Sequence, residues 1–135
     1  AWLFGGFFPD LEHVQILALA AGLCAVLGHM FTPFLNFKGG KGVATASGAL
    51  CAAFFVHFLA VFVAWWVVFA VSRIVSLSSL AAVCVLVGSA LVWGEPRPVL
   101  GAFSGGLLLV FWSHRSNISR LMKGQEQRLI NKRNS

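Results

Sequence analysis

Polar positions in this chain come in a few short clusters, and the stretches between them are nearly unbroken hydrocarbon. After Pro9-Asp10-Leu11-Glu12-His13, the 18 residues from Val14 to Phe31 contain no Lys, Arg, Asp or Glu. A helix of that length covers about 27 Å, close to the roughly 30 Å hydrocarbon core of a bilayer, so it is read as a span. Thr32 to Gly42, with Pro33, Asn36 and three glycines, is read as a loop. Val43 to Ser72 runs 30 residues with His57 as the only strongly polar interruption. Leu77–Trp93 and Gly101–Ser113, the latter approached through Pro98-Val99-Leu100, are two further spans separated by Gly94-Glu95-Pro96-Arg97.

Composition turns this pattern into a fold class. Of the 135 residues 59% are hydrophobic and 10% charged, and mean hydropathy is +0.85, against roughly 25% charged residues in a soluble domain. A solvated globular domain and a disordered chain are both excluded. The expectation is an all-α polytopic integral membrane protein. Its excess of basic residues reads as a topology signal, with no nucleic-acid partner. Six of the ten Lys and Arg lie between Arg115 and Arg133, which puts a basic tail, residues 115–135, in the cytoplasm. If Val43–Ser72 were one span, Lys38 and Lys41 would fall outside. A reversal near Phe55 to His57 brings both lysines inside with Arg73 and the tail, and leaves Asp10, Glu12 and Glu95 outside. The halves are short, and viable where Ala44, Ala46, Ser47, Gly48 and Ala49 let backbones approach closely. Trp2, Trp93 and Trp112 fall near span ends, as interfacial belts require, whereas Trp65 and Trp66 do not and are assigned nothing beyond bulk packing. Cys24, Cys51 and Cys84 lie in spans without CxxC spacing and read as buried, inert thiols.

Three polar segments share the predicted cytoplasmic face. In Phe37-Lys38-Gly39-Gly40-Lys41-Gly42 the glycines free the backbone for positive φ and an anion nest, the lysines supply cations, and the helix beginning at Val43 adds its N-terminal N–H groups. It is no Walker A loop, and a flexible turn with two topogenic lysines fits as well. Ser76, just before the run from Leu77, reads by default as an N-cap that can also donate to a phosphate, with Arg73 beside it. His114, Asn117 and Leu121, spaced i, i+3, i+7, share a helical stripe. The alternative there is an interfacial helix whose Arg115, Arg120 and Lys123 meet anionic headgroups. The tail beyond Gln127 reads as a solvated or lipid-associated end. Scattered histidines and four acidic residues form no metal-ligand cluster, and no serine or cysteine has an evident base.

On these residues the chain resembles the PlsY family of bacterial membrane glycerol-3-phosphate acyltransferases. The resemblance rests on Gly28-His29 with Phe34, on Phe37-Lys38-Gly39-Gly40-Lys41-Gly42-Val43-Ala44-Thr45, on Arg73 with Val75-Ser76-Leu77 and Ser79, and on His114, Asn117-Ile118, Arg120-Leu121, Gly124 and Glu126. It implies a seven-helix fold, of which about five spans lie here. The implied reaction moves a fatty acyl group from acyl phosphate to the 1-hydroxyl of glycerol 3-phosphate, without cofactor or metal, in the bacterial cytoplasmic membrane. Lys38, Gly39, Gly40, Lys41, Gly42, Ser76 and Arg73 are then expected to bind phosphate. His114 and Asn117 are expected to position the reacting groups, with His29, Thr45, Arg120 and Glu126 as further site residues. Two departures stand out. Proline sits at Pro33, one position later than in the family, with Thr32 in its place, so a local change in the approach to the loop is expected. The family's first motif, a Gly-Ser-rich loop ending in arginine, is absent. Residue 1 is Ala and the chain opens in an apolar run. Residues 1–135 are therefore read as a single acyltransferase domain lacking its N-terminal helices, and by themselves inactive. Nothing in the residues sets an oligomeric state.

Overall fold

The computed structural model describes residues 11–37 and 39–129, without the side chains of residues 11–13. Trp2 and the apolar run from Ala1 to Phe8 lie outside the described residues. The described chain is helical: α1 (Leu11–Met30), a 3₁₀ turn (Pro33–Leu35), α2 (Val43–Ala53), α3 (Phe55–Ser72), α4 (Val75–Trp93), α5 (Arg97–Ser113) and α6 (Arg115–Met122). Three helices, α1, α3 and α4, are long and apolar enough to cross a membrane, while α2 and α5 are shorter apolar helices.

The expected break in Val43–Ser72 is present, at Phe54. Phe54 leaves helical geometry (φ −137°, ψ 58°) and its ring packs edge-on against Phe103, 5.2 Å between centroids. Neither glycine nor proline marks the break. Core packing of Phe54 fixes it, together with a polar knot one turn on. The buried His57 ring meets Ser89 Oγ through Nδ1 at 2.9 Å and Glu95 Oε1 through Nε2 at 3.0 Å. The lone polar residue of this apolar stretch thus ties the start of α3 to the end of α4 and to the loop after it. The chain reverses there. The start of α2 and the end of α3 both lie at the opposite, polar end of the bundle.

The core is formed by α2 with α4 and α5, through Leu50, Phe54, Leu80, Val83, Leu86 and Phe103. α4 is central, and its four buried serines spend their hydroxyls locally or on partners, Ser78 on Ile74 O and Ser89 on Leu86 O, so that no hydroxyl is stranded. Close approach of α1 and α2 is built as the small residues suggested: a Cβ on Gly22 would stand 2.9 Å from Ala49 Cβ. Trp93 and Trp112 sit at the ends of α4 and α5, both about half exposed.

Two expectations are corrected. Cys24, Cys51 and Cys84 are free and exposed on the helix surfaces rather than buried. Ser76 is not the N-cap of α4. The helix starts one residue before it, at Val75, after the extended Ile74, with no side-chain cap, and Ser76 spends its hydroxyl elsewhere.

The His57 knot yields a stability prediction. His57→Phe keeps the ring packing and removes the hydrogen bonds to the buried Ser89 and the partly exposed Glu95, which costs about 1–3 kcal/mol. A melting temperature in detergent that is unchanged from the wild type would remove the knot from the account of the break.

Candidate active site

Chain reversal at Phe54 makes two arms of unequal length. With 11 residues in α2 and 18 in α3, the start of α2 falls about 10 Å short of the end of α3, measured along the helices. The glycine loop is therefore recessed, and a cavity of about 1140 Å³ opens between the arms. Its mouth is polar, with His29, Lys41, Ser76, His114, Asn117 and Glu126; its interior is apolar, with Phe58, Val61, Phe62 and Ala82. Trp65 and Trp66, unassigned from sequence, line it as well.

The mouth is wired through Asn117. Lys41 Nζ donates to Asn117 Oδ1 at 2.6 Å, and Asn117 Nδ2 donates to Glu126 Oε1. The same carboxylate accepts from Ser76 Oγ at 2.7 Å and, through Oε2, from Arg120 Nε at 2.7 Å. The glycine loop and α4 are far in sequence from α6 and the segment that follows it. Three donors hold the Glu126 carboxyl down at about 2: the Asn117 amide first, then Ser76 and, after the opposing effect of partial burial, Arg120.

His114, at the junction of α5 and α6, is 2% exposed. Its Nδ1 lies 2.8 Å from the Val110 carbonyl, which can only accept, so Nδ1 carries the hydrogen and Nε2 is left as the acceptor. Burial lowers its pKa from the ordinary value, against a raising contribution from the Val110 carbonyl; Lys41 lowers it further and Glu126 raises it. The ring is neutral at physiological pH.

The glycines serve a different purpose from the one expected. Gly42 does take a positive φ, 76°, just before α2. Gly39 and Gly40 do not; they are needed for close approach. A Cβ on Gly39 would stand 2.0 Å from the His29 carbonyl oxygen, and one on Gly40 2.2 Å from His29 Nε2. Met30 O accepts from Gly39 N at 3.1 Å, which ties the loop to the end of α1. Extended Thr32 leads into Pro33 as the first residue of the 3₁₀ turn, and Asn36 and Phe37 then adopt left-handed φ of 51° and 59°.

Of the residues proposed from sequence, Lys41, Gly42, Ser76, His114, Asn117, His29 and Glu126 line one cavity, with Arg120 bound to Glu126. Lys38 lies outside the described residues. Thr45, in α2, and Arg73 are not among the residues that line the cavity. Arg73 caps α3 in left-handed geometry, with its side chain exposed. Residues 115–122 form α6, Leu121 packs on the core, Leu129 N donates to Arg73 O at 2.8 Å, and Arg128 and Leu129 border the cavity. Sequence reasoning placed Glu126 at the margin of the site. Its signal was a lone carboxylate within a basic segment.

A glycerol-3-phosphate acyltransferase family model matches residues 1–124. The chain belongs to this family. It is 45% identical over 117 residues to the glycerol-3-phosphate acyltransferase of Maricaulis maris, which covers 85% of this chain and 53% of that protein. The namesake enzyme of Bordetella petrii is 41% identical over 133 residues, 95% of this chain and 62% of its own. A crystal structure of PlsY, an integral membrane glycerol 3-phosphate acyltransferase in its glycerol 3-phosphate form, superposes with a TM-score of 0.82 at 38% identity, covering 93% of this chain and 66% of that one. The chain spans about half the length of the first curated relatives it matches. It is an integral membrane protein of all-helical fold.

Two predictions follow from this geometry. Gly40→Ala overpacks the loop against a side chain, at a cost of about 1–3 kcal/mol, and His29→Ala in the same protein restores the melting temperature. Gly39→Ala meets backbone and is not restored. Equal behaviour of the two glycines would contradict the assignment. The second concerns pH. Glu126 ionises more readily folded than unfolded, so between its ordinary 4.5 and about 2 the unfolded chain binds more protons. The stabilisation is complete above this window and is lost as pH falls through it. The melting difference between wild type and Glu126→Gln shrinks accordingly from pH 5 toward 2; a constant difference would exclude ionised Glu126 as its source.

Proposed function

We propose that the protein acts in transfer of a fatty acyl group from acyl phosphate to the 1-hydroxyl of glycerol 3-phosphate, releasing lysophosphatidic acid and phosphate. The observation that carries this reading is a single cavity whose cationic, hydrogen-bonding mouth continues into an apolar interior open between two helices. Such a shape suits a substrate with a phosphate at one end and a hydrocarbon chain at the other. In this reading the domain lies in the bacterial cytoplasmic membrane, with the mouth, Arg73 and the basic tail on the cytosolic side.

The chemistry needs little acid–base machinery. A mixed carboxylic–phosphoric anhydride carries its own leaving group. What the site must supply is positioning and the means to bring two phosphorylated substrates together against their repulsion. Lys41 keeps two hydrogens beyond the one given to Asn117, and with Lys38, Arg73 and the backbone of Gly40 and Gly42 it is assigned to phosphate, while the Gly39 N–H stays with Met30 O. The bond from Ser76 to Glu126 must be exchanged for Ser76 to donate to a phosphate. His114, neutral with Nε2 as acceptor, and Asn117, whose second amide hydrogen is uncommitted, are assigned to the attacking hydroxyl. Proton transfer from that hydroxyl goes to a phosphate oxygen of the donor. The acyl chain lies along Phe58, Phe62 and Ala82.

The test is transfer of labelled acyl groups from acyl phosphate to glycerol 3-phosphate by the protein as its gene encodes it, reconstituted in lipid, with acyl-CoA as control donor. Labelled lysophosphatidic acid from acyl phosphate alone is expected. Binding of glycerol 3-phosphate without product would instead identify a non-catalytic binder of phosphate or anionic lipid. Lys41→Ala lowers kcat/KM at least about tenfold, the equivalent of one charge-assisted contact, and unchanged kinetics would remove Lys41 from the site.

A further inference from the structure

Between the polar mouth and the apolar interior lies a pair of side chains with no part in the phosphate chemistry. Trp65, on α3, directs its indole Nε1–H at Ser79 Oγ, on α4, at 3.3 Å. The Ser79 hydroxyl hydrogen is already given to Val75 O, 3.0 Å away, so Oγ acts as the acceptor. Both residues line the cavity. Ser79 is three residues beyond Ser76 on α4, about 4.5 Å further from the mouth. Beyond this level the lining residues Ala82, Val61, Phe62 and Phe58 have no hydrogen-bonding side chain. Ser47 also borders the cavity, and its hydrogen is given to Val43 O within its own helix.

The Trp65 N–H is thus the innermost side-chain donor among the described lining residues that is not committed to its own helix. Its bond to Ser79 is at the long end of the range and exchanges readily for a better acceptor. Its direction is fixed by packing. The ring stacks on Phe69 at 5.0 Å and 17° and meets Trp66 edge-on at 5.2 Å and 81°.

We propose that Trp65, set by Ser79, is a further catalytic residue of the acyl transfer, its indole N–H holding the carbonyl oxygen of the acyl phosphate. This rests on the function proposed above. In an acyl phosphate the carbonyl lies between phosphate and hydrocarbon, and in this cavity the depth between the Lys41–Ser76 level and the apolar lining is that of Trp65 and Ser79. The 1-hydroxyl oxygen of glycerol 3-phosphate bonds to the carbonyl carbon, and the carbonyl electron pair moves onto oxygen, where the indole N–H meets the developing charge. Collapse re-forms the carbonyl and breaks the bond from carbon to the bridging phosphate oxygen. Phosphate leaves with the hydroxyl proton, since the indole only donates. Ser79 acts through Trp65 as a positioning residue.

The test reads the carbonyl itself. Acyl phosphate labelled with carbon-13 at the carbonyl is bound to the lipid-reconstituted, gene-encoded protein without acceptor, and its infrared stretch is recorded. The wild type is expected to lower the frequency relative to the same compound in vesicles alone. Trp65→Phe, which keeps ring packing and removes the donor, abolishes the shift, leaves donor affinity within about twofold, and lowers kcat about a hundredfold. Trp65→His, which retains a ring N–H, recovers part of the shift. A Trp65→Phe spectrum equal to that of the wild type overturns the proposal, as does a wild type that binds donor with no shift. If the shift appears and responds to Trp65 but no lysophosphatidic acid forms, the carbonyl contact stands and the transferase reading falls. If the wild type binds no acyl phosphate, both fall.

Discussion

Glu126 reaches back from beyond the last helix and sets a negative charge among Ser76, Asn117 and Arg120, three donors from α4 and α6. A carboxylate largely withdrawn from water is tolerable only when its lone pairs are met, and here each oxygen is bound. Much else depends on this. The Asn117 amide has two orientations of nearly equal shape, and the acceptor at Glu126 decides that Nδ2 faces the carboxylate and Oδ1 faces Lys41. Lys41 is in turn drawn to Oδ1, 2.6 Å away. Lys41 is thus positioned by an anion it never touches. The clasp from Leu129 to Arg73 holds the segment that delivers Glu126.

The cavity follows from an arithmetic mismatch rather than from any special residue. Two antiparallel helices joined by a tight break at Phe54 must share one end, and unequal length then leaves the shorter one recessed. Hydrogen bonding of the backbone in hydrocarbon permits such recession only where other elements cover the loop that follows. α1 does this through His29 and Met30, against which Gly39 and Gly40 pack without room for a Cβ. Gly39 and Gly40 are therefore fitted closely against the end of α1.

Much of this was legible in the sequence. Apolar runs gave the helices, and lysine placement gave the break in Val43–Ser72, because charge is costly on the wrong side of a bilayer and so carries information that periodicity lacks. The three polar segments converge as their shared face implied. Tertiary consequences of single residues were not legible. Ser76 sits where an N-cap would sit, yet its hydroxyl is worth more to Glu126 across the fold than to its own helix end. Gly39 and Gly40 suggested positive φ, because a sequence shows the freedom of glycine and not the neighbour that demands its smallness. The cysteines looked buried because their surroundings are apolar; in a membrane protein the apolar surroundings include the outer surface. Glu126 was hard to weigh, since its partners arrive from positions 6 to 50 residues away.

α3 joins the two ends of the molecule. At one end His57 anchors it to Ser89 and Glu95; along its length Phe58, Phe62, Trp65 and Trp66 form a wall of the cavity; at the other end Arg73 receives the clasp from Leu129. A helix of 18 residues fixed at both ends has little freedom to tilt or rotate, and rotation by one residue, about 100°, would turn the Trp65 indole out of the cavity. The polar knot at the far end therefore contributes to the site although it touches none of it. Its effect is to hold the register in which an aromatic wall, and the Trp65 indole donor within it, faces inward.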